Sequence, residues 1–183
     1  ILVNNAGRGL FKTIDDTTEE AFRDLIEVNL MGPFYMTKAV LPQMRKQKSG
    51  QIVNISSVAG KRAYNRTSAY STTKFGLIGM SQGVRWDAHK DGIEVVVVCP
   101  PASHTDFFNA AKYGDAPNPH KKYLEDHPKD HLLQPEEVAA TILDACATHK
   151  QEVVMTTRMK VLTILYAIFP NLFDTLKKKL KGK

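Results

Sequence analysis

The hydrophobic pattern changes period along the chain. Ile1-Leu2-Val3 is a short apolar run closed by Asn4-Asn5-Ala6-Gly7, a turn signature, and predicts the end of a buried strand. Thr17 and Glu20 have capping-box spacing. Phe22, Leu25, Ile26, Asn29, Met36 and Val40 then follow at helical spacing to about Arg45. Gln51 to Ile55 predicts a strand and Tyr70 to His89 a long helix, stopped by Asp91-Gly92. Ile93 to Val98 is β-branched except at Glu94 and predicts a strand buried on both faces, ended by Pro100-Pro101. Pro135 opens a helix to about Thr148, and Gln151 to Met155 predicts a last strand. This alternation of strand and helix implies an α/β fold, a doubly wound parallel sheet with helices on both faces. Residues 106–133 are polar and lack a clear period. They are too long for an ordinary connection and are expected to form a functional loop or lid with short helices. Because the chain enters in mid-strand, residues 1–156 are read as the C-terminal part of such a domain, and residues 157–183 as a basic amphipathic tail.

Composition narrows the function classes. A chain of 183 residues with 43% hydrophobic and 24% charged residues is an ordinary globular domain. The net charge of +6 sits in one place. Residues 157–183 carry Arg158, Lys160, Lys177, Lys178, Lys179, Lys181 and Lys183 against Asp174, while the rest of the chain balances. A nucleic-acid footprint over the domain is therefore not expected. Cys99 and Cys146 form no spaced pair, which argues against a disulfide scaffold and for a reducing, cytoplasmic setting.

Three loops, Asn4 to Gly7, Ser56-Ser57 and Pro100 to Thr105, each follow a predicted strand. In a doubly wound sheet they line one crevice at the carboxyl ends of the strands. Tyr70 and Lys74, four apart on a helix, share a face. An ammonium beside a phenol favours phenolate and would bring the tyrosine toward general acid–base work. On spacing alone, a surface Tyr beside a surface Lys explains the pair as well. Asn29 lies on an apolar stripe, and Pro33, four residues on, has no N–H for its carbonyl. That carbonyl is left free at an expected kink, either as a plugged helix defect or as an acceptor for ordered water.

Taken together, Asn-Asn-Ala-Gly after a strand, Asn29 in Val28-Asn29-Leu30-Met31-Gly32, Ser57 thirteen residues before Tyr70, and Tyr70-Ser71-Thr72-Thr73-Lys74 resemble the short-chain dehydrogenase/reductase family, from Ile1 to about Met155. The resemblance implies a Rossmann-like sheet, NAD or NADP as cofactor, and a carbonyl or secondary-alcohol substrate. It implies that Tyr70 exchanges a proton with the substrate oxygen and that Ser57 hydrogen-bonds the same oxygen. Lys74 would bind the nicotinamide ribose and lower the Tyr70 pKa, and Asn29 would hold a water through its main-chain carbonyl. Asn4, Ala6 and Gly7 match the segment beside the adenosine ribose. Pro100, Ser103 and Thr105 match a Pro-Gly-x-x-x-Thr loop facing the carboxamide and pyrophosphate, with Pro101 in place of the glycine. The family's glycine-rich phosphate loop does not occur in these residues, so the choice between NAD and NADP stays open.

Gly76, Gly79 and Gly83 on one helix suggest close helix packing, and the resemblance implies a homo-oligomer through this helix and the one before it. A metal site at His120, His127 and His131 is not expected, because Pro128 breaks their spacing and no cysteine is near. In the tail, Leu162, Leu165, Phe169, Leu172, Leu176 and Leu180 make one apolar stripe, followed by Lys177, Lys178, Lys179 and Lys181. An apolar stripe plus a basic cluster predicts attachment to a membrane surface without crossing it. The rival readings are a non-catalytic binding protein of the same fold and a membrane-surface module acting through the tail.

Overall fold

Four strands, β1 (Leu2–Asn4), β2 (Gly50–Ile55), β3 (Ile93–Cys99) and β4 (Glu152–Val154), pair in parallel in that order. They belong to a computed structural model that describes residues 1–113, 132–171 and 175. The helices are α1 (Glu19–Ile26), α2 (Gly32–Gln47), α3 (Ser68–Ala88), the short α4 (Phe107–Ala110), α5 (Pro135–Ala147) and α6 (Thr157–Ile168). The expected alternation, and with it the doubly wound parallel sheet, is present.

The period-2 alternation of β2 and β3 sends side chains to two cores. Ile52, Ile93 and Val95 face Met44, Val40 and Leu41 of α2 and Val84 and Ala88 of α3. Val53, Ile55, Val96 and Val98 face Val138, Ile142 and Ala145 of α5. The valine run of β3 is thus buried on both sides, as a near-continuous apolar strand requires.

Two local readings shift. The N-cap of α1 is Thr18, whose hydroxyl accepts from the Ala21 N–H at 3.2 Å. The Thr17 hydroxyl instead donates to the Thr13 carbonyl at 2.7 Å, so the capping-box residue is already engaged by the preceding turn. At Pro33 the helix does not break. Residues Glu27–Met31 widen into a π segment that joins α1 to α2, with the Gly32 N–H reaching back to the Glu27 carbonyl. A proline that cannot donate is absorbed by one wide turn.

Helix α6 rests on the body of the domain. Thr163 is buried, and the Arg62 guanidinium lies 4.8 Å from the Tyr166 ring centroid. The predicted single stripe divides here: Leu162 is half-buried, while Leu165 and Phe169 are exposed beside Val161, Ile164 and Ile168. Leu172, Leu176, Leu180 and the Lys177–Lys181 cluster lie outside the described residues, as do His120, His127 and His131.

Candidate active site

The loops after β1, β2 and β3 meet at the carboxyl ends of the strands, where ligands bind in this kind of sheet. After β2 the chain turns into a 3-10 turn, Val58–Gly60, capped by the Ser57 hydroxyl, which accepts from the Ala59 N–H at 3.1 Å. The Val58 N–H donates to the Pro100 carbonyl at 3.0 Å, which locks the Ser57 turn to the loop after β3.

Helix α3 starts against this turn. The Ser56 hydroxyl donates to the Lys74 carbonyl at 3.0 Å. Gly60 packs so tightly there that a Cβ would lie 2.7 Å from both the Lys74 carbonyl oxygen and Ser56 Oγ. Tyr70 and Lys74 are both buried on the first two turns of α3. The Lys74 ammonium donates to the Ile55 carbonyl at 2.9 Å and stands 5.8 Å from the Tyr70 ring centroid. The Ser57 side chain stands close enough to the Tyr70 phenol to favour its ionised form.

Asn29, fully buried in the π segment, reaches across to the loop after β1. Its Oδ1 accepts from the Arg8 N–H at 2.8 Å, and its Nδ2 donates to the Arg8 carbonyl at 2.9 Å and to Thr73 Oγ1 at 3.1 Å. One side-chain amide therefore fixes that loop against α3. Gly7 is the point of closest approach: a Cβ there would lie 3.4 Å from Asn29 Oδ1 and 3.5 Å from Lys74 Nζ. Asn29, Ser57, Tyr70, Lys74 and Gly7 thus form one cluster. Ala6 is exposed on the same loop, whereas the Asn4 side chain turns into the sheet, donating to Asn54 Oδ1 at 2.7 Å. Ser103 is buried and donates to the Pro101 carbonyl at 3.2 Å, and Thr105 is exposed.

Burial sets the electrostatics. It lowers the Lys74 ammonium to about 8 and raises the Tyr70 phenol above its ordinary value, with the Ser57 side chain working against that rise. The expected lowering of the phenol is therefore not what the protein matrix produces on its own. The Lys74 ammonium hydrogen-bonds a carbonyl, and the tyrosine ring sits among apolar groups.

The family model described as short chain dehydrogenase matches residues 1–115. The chain belongs to the short chain dehydrogenase family. An uncharacterized oxidoreductase of Thermotoga maritima is 38% identical over 148 residues, which cover 79% of this chain and 59% of that relative. A short-chain dehydrogenase from Streptomyces avermitilis superposes with a TM-score of 0.78 at 32% identity, over 99% of this chain and 69% of the other. The closed form of a serine dehydrogenase complexed with NADP+ gives 0.75 at 29% identity, over 84% and 63%. The chain therefore spans 59% of the length of that oxidoreductase.

Three contributors to the site were not legible in sequence. Gly60 is set by the approach of α3 to the turn, where Ser56, expected on the crevice, meets it, and Phe11 by the loop after β1. Asn54 stands beside Asn4 in register, and two asparagines near the ends of neighbouring strands were the signal that could have shown it.

Proposed function

We propose that this chain carries the catalytic half of an NAD(P)-dependent oxidoreductase that moves hydride between a nicotinamide and a carbonyl or secondary-alcohol carbon. The observation that carries the reading is the Lys74 ammonium, buried beside Tyr70 and Gly7 with one described hydrogen bond, to the Ile55 carbonyl, for its three N–H groups. Two further N–H donors beside a glycine fit a ribose diol, and the NADP+ complex of the serine dehydrogenase supports the cofactor class. The dinucleotide supplies or accepts the hydride. Tyr70, protonated at neutral pH, gives its proton to the substrate oxygen as the carbon is reduced, and Ser57 donates a hydrogen bond to the same oxygen. Lys74 holds the ribose, and its charge stabilises the phenolate that is left. Asn29 fixes the loop carrying Ala6 and Gly7, and its main-chain carbonyl serves a water leading to Lys74. Asn4 supports the sheet beneath that loop, while Pro100, Ser103 and Thr105 border the carboxamide side.

In the full-length protein, Tyr70→Phe should lower carbonyl reduction by ~10²–10⁴-fold and leave NADH or NADPH affinity within a few-fold, read by fluorescence titration. Turnover close to wild type would remove Tyr70 from the mechanism.

Two partner readings join this one. The outward face of α3 carries Phe75, Gly79, Gly83 and Trp86, and a Cβ at either glycine would meet nothing within 4 Å. At Gly76, by contrast, a Cβ would lie 3.3 Å from Leu30 Cδ2. A second copy of the chain fits the uncovered face, and sedimentation equilibrium of the full-length protein tests it. The exposed apolar row of α6, next to the net +6 of residues 157–183, fits a peripheral membrane surface on the cytoplasmic side. Among the described residues no helix is long and apolar enough to cross a membrane.

A further inference from the structure

Tyr70 is roofed by rings from two loops. Phe11, after β1, stands 5.5 Å from the Tyr70 ring, and Phe107, on α4, stands 5.8 Å from it. Phe11 in turn stacks on Phe108 at 5.9 Å and on Tyr113 at 5.4 Å. These separations are those of favourable aromatic pairs.

The two loops are fastened together. The Phe11 N–H donates to the Lys112 carbonyl at 2.9 Å, and the Lys112 N–H donates to the Gly9 carbonyl at 3.1 Å. Gly9 has to be glycine, because a Cβ would lie 2.8 Å from Ala111 Cβ. Phe11 and Tyr70 are buried, while Phe107, Phe108 and Tyr113 are half-buried on a four-residue helix and the loop after it. The rings join the cluster that holds Leu25 of α1 and Ala69 of α3, and within it they cover the Tyr70 ring at the ligand-binding end of the strands.

We propose that this aromatic roof is the substrate-selecting wall, and that it takes neutral carbonyl compounds with an aryl or long alkyl body. The proposal rests on the oxidoreductase reading. Ser57 and Tyr70 supply the polar contacts for one oxygen, and the remainder of the substrate meets ring faces. A carboxylate among those rings needs a cation to offset its desolvation. Arg8 is paired with Asp24 at 2.6 Å, Arg66 donates to the Phe11 and Tyr113 carbonyls at 3.4 and 3.5 Å, and Lys112 is exposed. Among the described residues of these two loops, Lys12, half-buried and next to Phe11 in the chain, is the cation that remains for an anionic substrate.

The test uses the full-length protein with NADH or NADPH and compares kcat/KM for acetophenone, 2-decanone, acetone and 3-oxobutanoate. The two apolar ketones should exceed the other two by at least about tenfold. Phe107→Ala should remove about tenfold from the apolar pair without changing cofactor affinity. Phe107→Leu, which keeps an apolar side chain there and guards against a folding artefact, should retain the preference for 2-decanone. A preference for 3-oxobutanoate, or the same ranking in Phe107→Ala as in wild type, overturns the proposal. If none of the ketones is reduced, the oxidoreductase reading fails and binding decides the present one. Saturation transfer from the protein to acetophenone, lost in Phe107→Ala, supports an apolar site without the reaction. Its absence in wild type overturns the site as well.

Discussion

Lys74 is buried, hydrogen-bonded to one carbonyl, and lowered to about 8 by desolvation. Its unfolded value is near 10.4, so between about pH 8 and pH 10 the unfolded chain binds more protons than the folded one. Stability then rises with pH across that window. Below about pH 8 both forms are protonated, and the full cost of burying the charge, ~3 kcal/mol, is present. Lys74→Met removes that group. Its stability advantage over wild type in urea titrations should therefore be greatest below pH 8 and shrink toward pH 10. Tyr70, whose phenol is raised by burial, acts in the opposite sense above pH 10, where the unfolded phenol ionises first. An advantage independent of pH between 7 and 10 would show that the ammonium is not desolvated.

Among the elements, a polar chain through the sheet ties together the strands and helices that carry the site. The in-register pairing of β1 with β2 sets Asn4 beside Asn54. Asn4 donates to Asn54 Oδ1, Asn54 Nδ2 donates to Ser81 Oγ at 2.7 Å, and Ser81 donates to the Leu77 carbonyl at 2.6 Å. Thr37 of α2 joins at 3.4 Å from Asn4. All four side chains are buried, so β1, β2, α2 and α3 are fixed relative to one another by bonds that leave a desolvated group behind if cut. Asn54→Ala and Ser81→Ala should each cost ~1–3 kcal/mol. The double mutant should depart from additivity by at least ~0.5 kcal/mol in denaturant unfolding. Strict additivity would mean that the two residues do not act as a unit.

At the scale of the whole molecule, α6 has one face on the domain and one outside it. One side meets the domain through Thr163 and Tyr166, and the other presents Val161, Ile164, Leu165, Ile168 and Phe169 to the exterior. The charge of the chain is concentrated in the same 157–183 segment. Full-length protein should therefore co-sediment with vesicles containing phosphatidylserine more than with neutral vesicles. Deletion of residues 170–183, which retains α6 and its contact with Arg62, should abolish the difference, since each lysine near an anionic surface contributes ~1 kcal/mol. Equal binding to both vesicle types would defeat the membrane reading and leave a protein partner for the apolar row.

Much of this was written in the sequence because it depends on local chemistry. Strand and helix periods gave the alternation of the sheet, since burial on both faces forces an unbroken valine run such as Val95 to Val98. The four-residue spacing of Tyr70 and Lys74 put them on one helical face before any packing was known. Other features depended on distances between segments far apart in the chain. Asn29 gained its grip on Arg8, Gly60 its lack of room, and Phe11 its place over Tyr70 only when three loops converged. The direction of the Tyr70 shift was settled the same way. Spacing puts an ammonium on the same helical face, but only packing buries the phenol, which raises it, and gives the ammonium a carbonyl as its partner.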